Sequence, residues 1–242
     1  GMSTTECIAP VDERRLMNAG ERVGTFKVAA VQAAPVYLDR EATIAKACGL
    51  VAEVSANGAR LAVFPETWVP GYPVWANADS RWNYEPAKKA YAELYRNSVD
   101  VPGRALWPLQ QAAREHGVAV VMGVNERCAT GTLYNSMVFI DSDGTLLGCH
   151  RKLVPTYHER MIWGRGDGST LSVFDSSVGK LGGLVCWEHW MPLARYALYA
   201  EGEQVHARAG EPGARGRQQR LTARRSRKGD RGPQQDAVEE EV

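Results

Sequence analysis

Apolar positions along this chain change period repeatedly, and each change marks an element. Phe26-Lys27-Val28-Ala29-Ala30-Val31-Gln32-Ala33-Ala34 is a mostly apolar run closed by Pro35, and it predicts a buried strand. Asp39 then supplies an N-cap side chain. Ile44, Ala47, Cys48, Val51 and Val54 follow at helical spacing, up to the stop signal Asn57-Gly58. Leu61-Ala62-Val63-Phe64 is the next apolar run, so the first part of the chain predicts a strand–helix–strand unit. Residues 67–86 form an aromatic loop with Trp68, Tyr72, Trp75, Trp82 and Tyr84, whose rings either line a pocket or pack the loop. Phe64 and Trp68 are assigned to the core. Helical spacing returns at 86–97 and 104–116, the second stopped by Gly117. A strand is predicted at 118–124, and strands at 134–140 and 145–149 flank the turn Asp141-Ser142-Asp143-Gly144 as a hairpin. After a second long loop at 153–170 come strands at 171–174 and 180–185, then a helix from Met191-Pro192 to about Gly202. Gln204-Val205-His206 begins another strand, and from Ala207 onward apolar periodicity stops. Strands alternating with helices predict an α/β fold.

Composition sharpens the break after His206. Residues 207–242 hold eight Arg and one Lys against six acids, whereas the remainder holds twenty basic and twenty-two acidic groups. All twenty aromatic residues lie before position 200, so the end of the chain has little with which to build a core. Three segments follow: a polar arm at 1–25, a folded domain at 26–206, and an Arg/Gly/Pro-rich tail at 207–242 that is expected to be disordered. A shifted reading frame or a chimeric gene is the hypothesis that would explain so abrupt an onset. The stretch 208–231 attracts phosphates nonspecifically, but it carries no aromatic residue for base stacking, so no specific nucleic-acid partner is expected. No run of eighteen apolar residues occurs, which excludes a membrane-spanning helix as the expected organisation. The N-terminus lacks a basic region followed by an apolar one, which argues for a cytoplasmic location. Gly1 ahead of Met2 is set aside as a tag remnant. The cysteines are Cys7, Cys48, Cys128, Cys149 and Cys186, and none forms a CxxC pair. Reduced thiols are therefore expected, with neither a disulfide framework nor a metal site.

In open α/β folds, reactive side chains gather at the carboxyl ends of strands. Glu66, Lys152 and Cys186 each follow a predicted strand. A thiol attacks only as its thiolate, a carboxylate serves as general base, and an ammonium stabilises developing negative charge. Together the three suffice for attack on an electron-poor carbon without metal or cofactor. Taken singly each is commonplace: a buried structural thiol, a surface acid, a solvated lysine.

Their sequence context is far more specific. Phe64-Pro65-Glu66-Thr67-Trp68, followed by Pro70-Gly71-Tyr72-Pro73, resembles the first motif of the nitrilase superfamily of carbon-nitrogen hydrolases. His150-Arg151-Lys152-Leu153-Val154-Pro155-Thr156 resembles the second, and Gly183-Leu184-Val185-Cys186-Trp187-Glu188 the third, in the family's order. Glu159-Arg160 and Trp163-Gly164-Arg165-Gly166-Asp167-Gly168 are similar to the nitrilase branch. The resemblance covers residues 26–206. It implies a four-layer α-β-β-α sandwich, incomplete at its C-terminus, and the conversion of a small nitrile to a carboxylic acid and ammonia by a homo-oligomer. The implied catalytic residues are Cys186 as nucleophile, Glu66 as general base, Lys152 as stabiliser of the tetrahedral species and Glu159 as the carboxylate positioning Lys152. Glu159 could instead pair with Arg160 or Arg165 on a loop surface. Trp187 and Tyr72 are expected to touch substrate, and His189 is expected to be only a neighbour. Amidase or cyanide hydratase chemistry, or an inactive fragment acting as an assembly partner, are the alternatives.

Overall fold

The computed structural model describes residues 24–77 and 83–210. Trp82, Cys7, nearly all of the expected arm and the tail beyond Gly210 lie outside the described residues.

Two sheets pack face to face. The larger has five strands in sequence order: β1 (Lys27–Ala30), β2 (Ala59–Val63), β3 (Ala119–Arg127), β4 (Leu133–Ile140) and β5 (Leu146–Arg151). β1, β2 and β3 run parallel, and β3–β4–β5 continue as an antiparallel meander. The smaller sheet comprises β6 (Phe174–Ser176), β7 (Gly179–Val185) and β8 (Val205–Ala209). The helices are α1 (Arg40–Ala56), α2 (Glu85–Asn97), α3 (Trp107–His116) and α4 (Pro192–Ala200).

The pleat explains why the central strands read as unbroken apolar runs. Val120, Met122 and Val124 of β3 face α1 and α3, where Ile44, Ala47, Val51 and Leu109 complete one core. Ala119 and Val121, one residue out of phase, face the smaller sheet with Leu61, Val63, Met137 and Phe139. Leu181, Val185, Val205, Ala207 and Ala209 meet them from the other side. Leu184, on the opposite face of β7, packs with Ala194 and Leu198 of α4. Alternate residues of one strand thus serve two different cores, as a strand covered on both faces requires. The layer order is helices, large sheet, small sheet, helix.

Local signals are where the sequence places them. The Asp39 carboxylate accepts a hydrogen bond from the Ala42 N–H at 2.9 Å and caps α1. Gly58 (φ 75°) and Gly117 (φ 62°) take left-handed turns after α1 and α3. Phe64 and Trp68 are fully buried. Three strand boundaries differ from expectation. β1 spans only Lys27–Ala30 and, contrary to the expected buried strand, is largely exposed, because it is the edge strand and pairs on one side only. The strand expected at 171–174 lies instead at Phe174–Ser176, while Leu171 and Val173 pack beside Leu184 and α4. β8 continues past His206 to Ala209, since parallel pairing with β7 carries the strand on and buries Ala207 and Ala209 between the sheets.

Candidate active site

Three strand ends converge. Glu66 follows β2, Lys152 follows β5, and Cys186 follows β7. Glu66 and Lys152 are almost wholly buried. The Lys152 Nζ donates to Glu66 Oε1 at 2.9 Å and to Glu159 Oε2 at 2.7 Å. Glu159 is buried too, on a short 3-10 turn at Tyr157–Met161, and does not pair with Arg160 or Arg165 at the surface. Its second oxygen accepts from the Tyr72 hydroxyl at 2.9 Å, and Oε2 also accepts the Thr156 N–H at 2.7 Å. Asn135, on β4, donates its side-chain N–H to Glu66 Oε1 at 2.6 Å, and its carbonyl accepts the Lys152 main-chain N–H at 2.8 Å. One ammonium therefore sits between two carboxylates, and the cluster is net negative when all three are ionised. Glu66 Oε2 is buried with no hydrogen-bond partner among the described residues. That oxygen is the available acceptor for a proton.

Electrostatics follow from this crowding. Burial, with repulsion from Glu159, lifts the Glu66 carboxyl above the ordinary range, although Lys152 and Asn135 pull it back. Burial disfavours the Lys152 ammonium, yet the two carboxylates outweigh it and hold its pKa above the usual lysine value. Burial and then the charge of Glu66 push the Cys186 thiol up to about 12, against the opposing pull of Lys152 and the Trp187 main-chain N–H. At neutral pH the resting sulfur is a thiol next to a carboxylate of raised basicity. That pairing favours proton transfer at the moment of attack.

The backbone at the site is strained. Cys186 (φ 52°), Thr67 (φ 46°) and Tyr157 (φ 46°) all adopt the left-handed region without being glycine, at about 1–3 kcal/mol each. Surrounding contacts hold them. The buried Glu188 carboxylate accepts the main-chain N–H groups of Val185 and Leu153, both at 2.7 Å, and the His150 ring at 3.0 Å. It ties the loop after β5 to the end of β7. Burial would raise the Glu188 pKa, but the His150 ring and these N–H groups outweigh it and hold it below the ordinary value. Gly123 on β3 supports Glu66 by making room: an added Cβ would lie 2.1 Å from the Pro65 carbonyl oxygen and 2.5 Å from the Thr67 nitrogen. Gly123→Ala is expected to lower stability by about 1–3 kcal/mol. Gly49→Ala in α1, where an added Cβ meets nothing, should raise it by about 0.5–1 kcal/mol. Urea midpoints of the two variants moving the same way would refute this account.

The structure brings Glu66, Lys152 and Glu159 into direct contact and sets Cys186 within their electrostatic reach. The two expected substrate contacts sit differently. Tyr72 bonds Glu159 and packs edge-on to Trp163, with ring centres 5.5 Å apart. Trp187 is half exposed and lies 5.7 Å from Trp190. Asn135 and the His150–Glu188 pair escaped sequence reasoning as site residues, although His150 and Glu188 lie inside quoted motifs. Nothing local marks Asn135, which reaches Glu66 through strand pairing. Among the described residues, no group of three or more His, Cys, Asp or Glu is arranged to hold a metal ion, and no helix is long and apolar enough to cross a membrane.

Comparison with known proteins bears on the family and the fold. The chain is 46% identical over 184 residues to a nitrilase from Bacillus sp. (strain OxB-1), covering 75% of this chain and 52% of that protein. It is 44% identical to an aliphatic nitrilase from Rhodococcus rhodochrous, covering 76% and 47%, and 43% identical to an arylacetonitrilase from Aspergillus niger, covering 77% and 55%. The chain thus spans about half the length of the curated relatives it matches. Among solved structures, a carbon-nitrogen hydrolase from Helicobacter pylori G27 shares the fold with a TM-score of 0.61 at 21% identity, over 76% of this chain and 60% of that one. A nitrilase-superfamily protein of Saccharomyces cerevisiae also gives 0.61, at 19% identity, over 78% and 66%. The carbon-nitrogen hydrolase family profile matches residues 27–230, beyond the break after His206 as well as before it, and the chain belongs to that family.

Proposed function

We propose that this chain carries the reacting groups of a nitrilase, which converts a small nitrile to a carboxylic acid and ammonia. The observation that carries the proposal is the buried Glu66–Lys152–Glu159 cluster beside a cysteine held in a left-handed conformation at a strand end. In the proposed mechanism the Cys186 thiol gives its proton towards Glu66 while sulfur bonds to the nitrile carbon, and the nitrile nitrogen gains that proton as a thioimidate forms. Glu66 deprotonates a water that adds to the same carbon, and Lys152 and the Trp187 N–H stabilise the tetrahedral species. Ammonia departs and leaves a thioester. A second water, activated in the same way, releases the acid and restores the thiol. Glu159 holds Lys152 and is itself held by Tyr72 and Thr156.

Expulsion of the thiol from the first tetrahedral species would give an amide instead. A relative from Nicotiana tabacum, 42% identical, is a bifunctional nitrilase/nitrile hydratase, which keeps that exit in view. Cys48, Cys128, Cys149 and Cys186 are all free, which suits a reducing compartment, and on that ground we assign the protein to the cytoplasm. The exposed Trp190, Leu193 and Tyr196 support a homo-oligomer.

The decisive assay is ammonia release by the 242-residue chain from aliphatic and aromatic nitriles, with Cys186→Ala as control and acid and amide measured separately. Release that disappears in the variant is the expected result. No release from the unsubstituted chain would overturn the activity and favour an inactive assembly partner.

A further inference from the structure

Behind the nucleophile lies a line of three hydrogen bonds that the proposed mechanism does not use. The Cys186 carbonyl oxygen is 2.7 Å from His189 Nδ1. His189 Nε2 is 3.0 Å from His206 Nε2, and His206 Nδ1 is 2.8 Å from Glu203 Oε1. The Glu203 side chain is only 2% exposed. Both ends of the line, a carbonyl and a carboxylate, are acceptors. Three bonds in series between two acceptors need three protons, and two neutral imidazoles carry only two.

We propose that His189 and His206 together hold one proton more than two neutral rings, with the imidazolium on His206 facing Glu203, and that this relay is a positioning device for the main chain of Cys186. The directions are then fixed. His206 donates from Nδ1 to Glu203 and from Nε2 to His189, and His189 accepts at Nε2 and donates from Nδ1 to the Cys186 carbonyl.

Independent features agree. Burial pushes the His189 pKa down to about 4, so His189 is the neutral ring of the two. An ionised carboxylate can only accept, so the 2.8 Å contact to Glu203 places a proton on His206 Nδ1. Room for the carboxylate comes from Gly182 on β7, which pairs with His206, since an added Cβ there would lie 2.3 Å from Glu203 Oε1. Three charged groups face the pair from the surrounding elements. Arg208 on β8 disfavours charge on His189, Glu188 on its own turn favours it, and Glu203 before β8 bonds His206. The relay also has something to hold: Cys186 at φ 52° is braced by Glu188 through the preceding N–H and by His189 through its own carbonyl. The proton count does not depend on the proposed function, and only its catalytic consequence rests on Cys186 being the nucleophile.

Long-range 15N–1H correlation spectra of the 15N-labelled full chain read which ring nitrogens are protonated. At neutral pH, both nitrogens of His206 and only Nδ1 of His189 should carry protons. In Glu203→Gln the carboxamide donates to His206 Nδ1, so all three bonds survive with two neutral rings. His206 should lose its Nδ1 proton while His189 stays unchanged. A singly protonated His206 in the unsubstituted chain would overturn the proposal, as would a His206 that Glu203→Gln leaves unaltered. The positioning role has its own readout, which needs no nitrile turnover. His206→Phe should slow alkylation of Cys186 by iodoacetamide about tenfold, the scale of one charge-assisted hydrogen bond. An unchanged rate in a folded variant would overturn that role even if nitrile hydrolysis were confirmed.

Discussion

Lys152→Met should destabilise the protein by about 3–5 kcal/mol, because it leaves two carboxylates facing each other with no cation between them. Glu66 and Glu159 both bond the ammonium directly, and neither has solvent to replace it. A domain has only about 5–15 kcal/mol in total, so one side chain of the site accounts for a large share of its stability. The penalty has a pH signature. Without Lys152 the Glu66 carboxyl, already raised by burial, loses the charge that pulls it back, and the folded state binds more protons than the unfolded chain. Its protonation relieves the repulsion, so the variant should approach the parent near the ordinary carboxylate range and fall away as pH rises through the raised folded value. Urea titrations at several pH values measure this. A constant difference across pH would mean that the loss is one of packing and not of charge. Adding Glu66→Gln to Lys152→Met should recover part of the stability, since one of the two opposed charges is then gone.

Glu66→Gln alone should behave in the opposite way, with a large loss of activity and little loss of fold. Its amide oxygen still accepts from Lys152 and Asn135, and the Lys152–Glu159 pair at 2.7 Å remains. What disappears is the basic, unpartnered Oε2. Loss of a general base costs about 10²–10⁴-fold in rate. Ammonia release should fall by that factor, with a urea midpoint near the parent's. Alkylation of Cys186 distinguishes two roles for the same charge. If Glu66 takes the thiol proton, alkylation slows in Glu66→Gln. If it acts only by repelling the thiolate, alkylation accelerates, because its negative charge is one of the causes that hold the thiol at about 12.

Elements governed by near neighbours were legible in the chain. Asp39 and Asn57-Gly58 bracket α1 because cap and stop depend on local side-chain and backbone geometry. The apolar runs at 61–64, 118–124 and 137–140 report burial on both faces of β2, β3 and β4. The end of β8 was not legible, since Ala207-Arg208-Ala209 carries no strong strand signal and is held by β7. The site divides in the same way. Glu66, Lys152, Glu159 and Cys186 were named from motifs, whose residue order records the chemistry. The contacts of Asn135 with Glu66 and of His189 with His206 were invisible, because their partners come from other strands or turns. Tyr72 was assigned to substrate contact, and in the fold its hydroxyl holds Glu159.

By itself, then, the sequence determined the helices with their caps, the apolar strands that alternate between two cores, and the candidate site residues Glu66, Lys152, Glu159 and Cys186. Caps, periods and motif spacings are short-range properties, encoded within a few residues. Tertiary structure decided which carboxylates share Lys152, which oxygen of Glu66 is left without a partner, and that His206 meets His189. Those are long-range properties. They depend on burial that strips water from Glu66, Lys152 and Glu159, and on strand pairing that brings Asn135 and His206 to partners no local pattern announces.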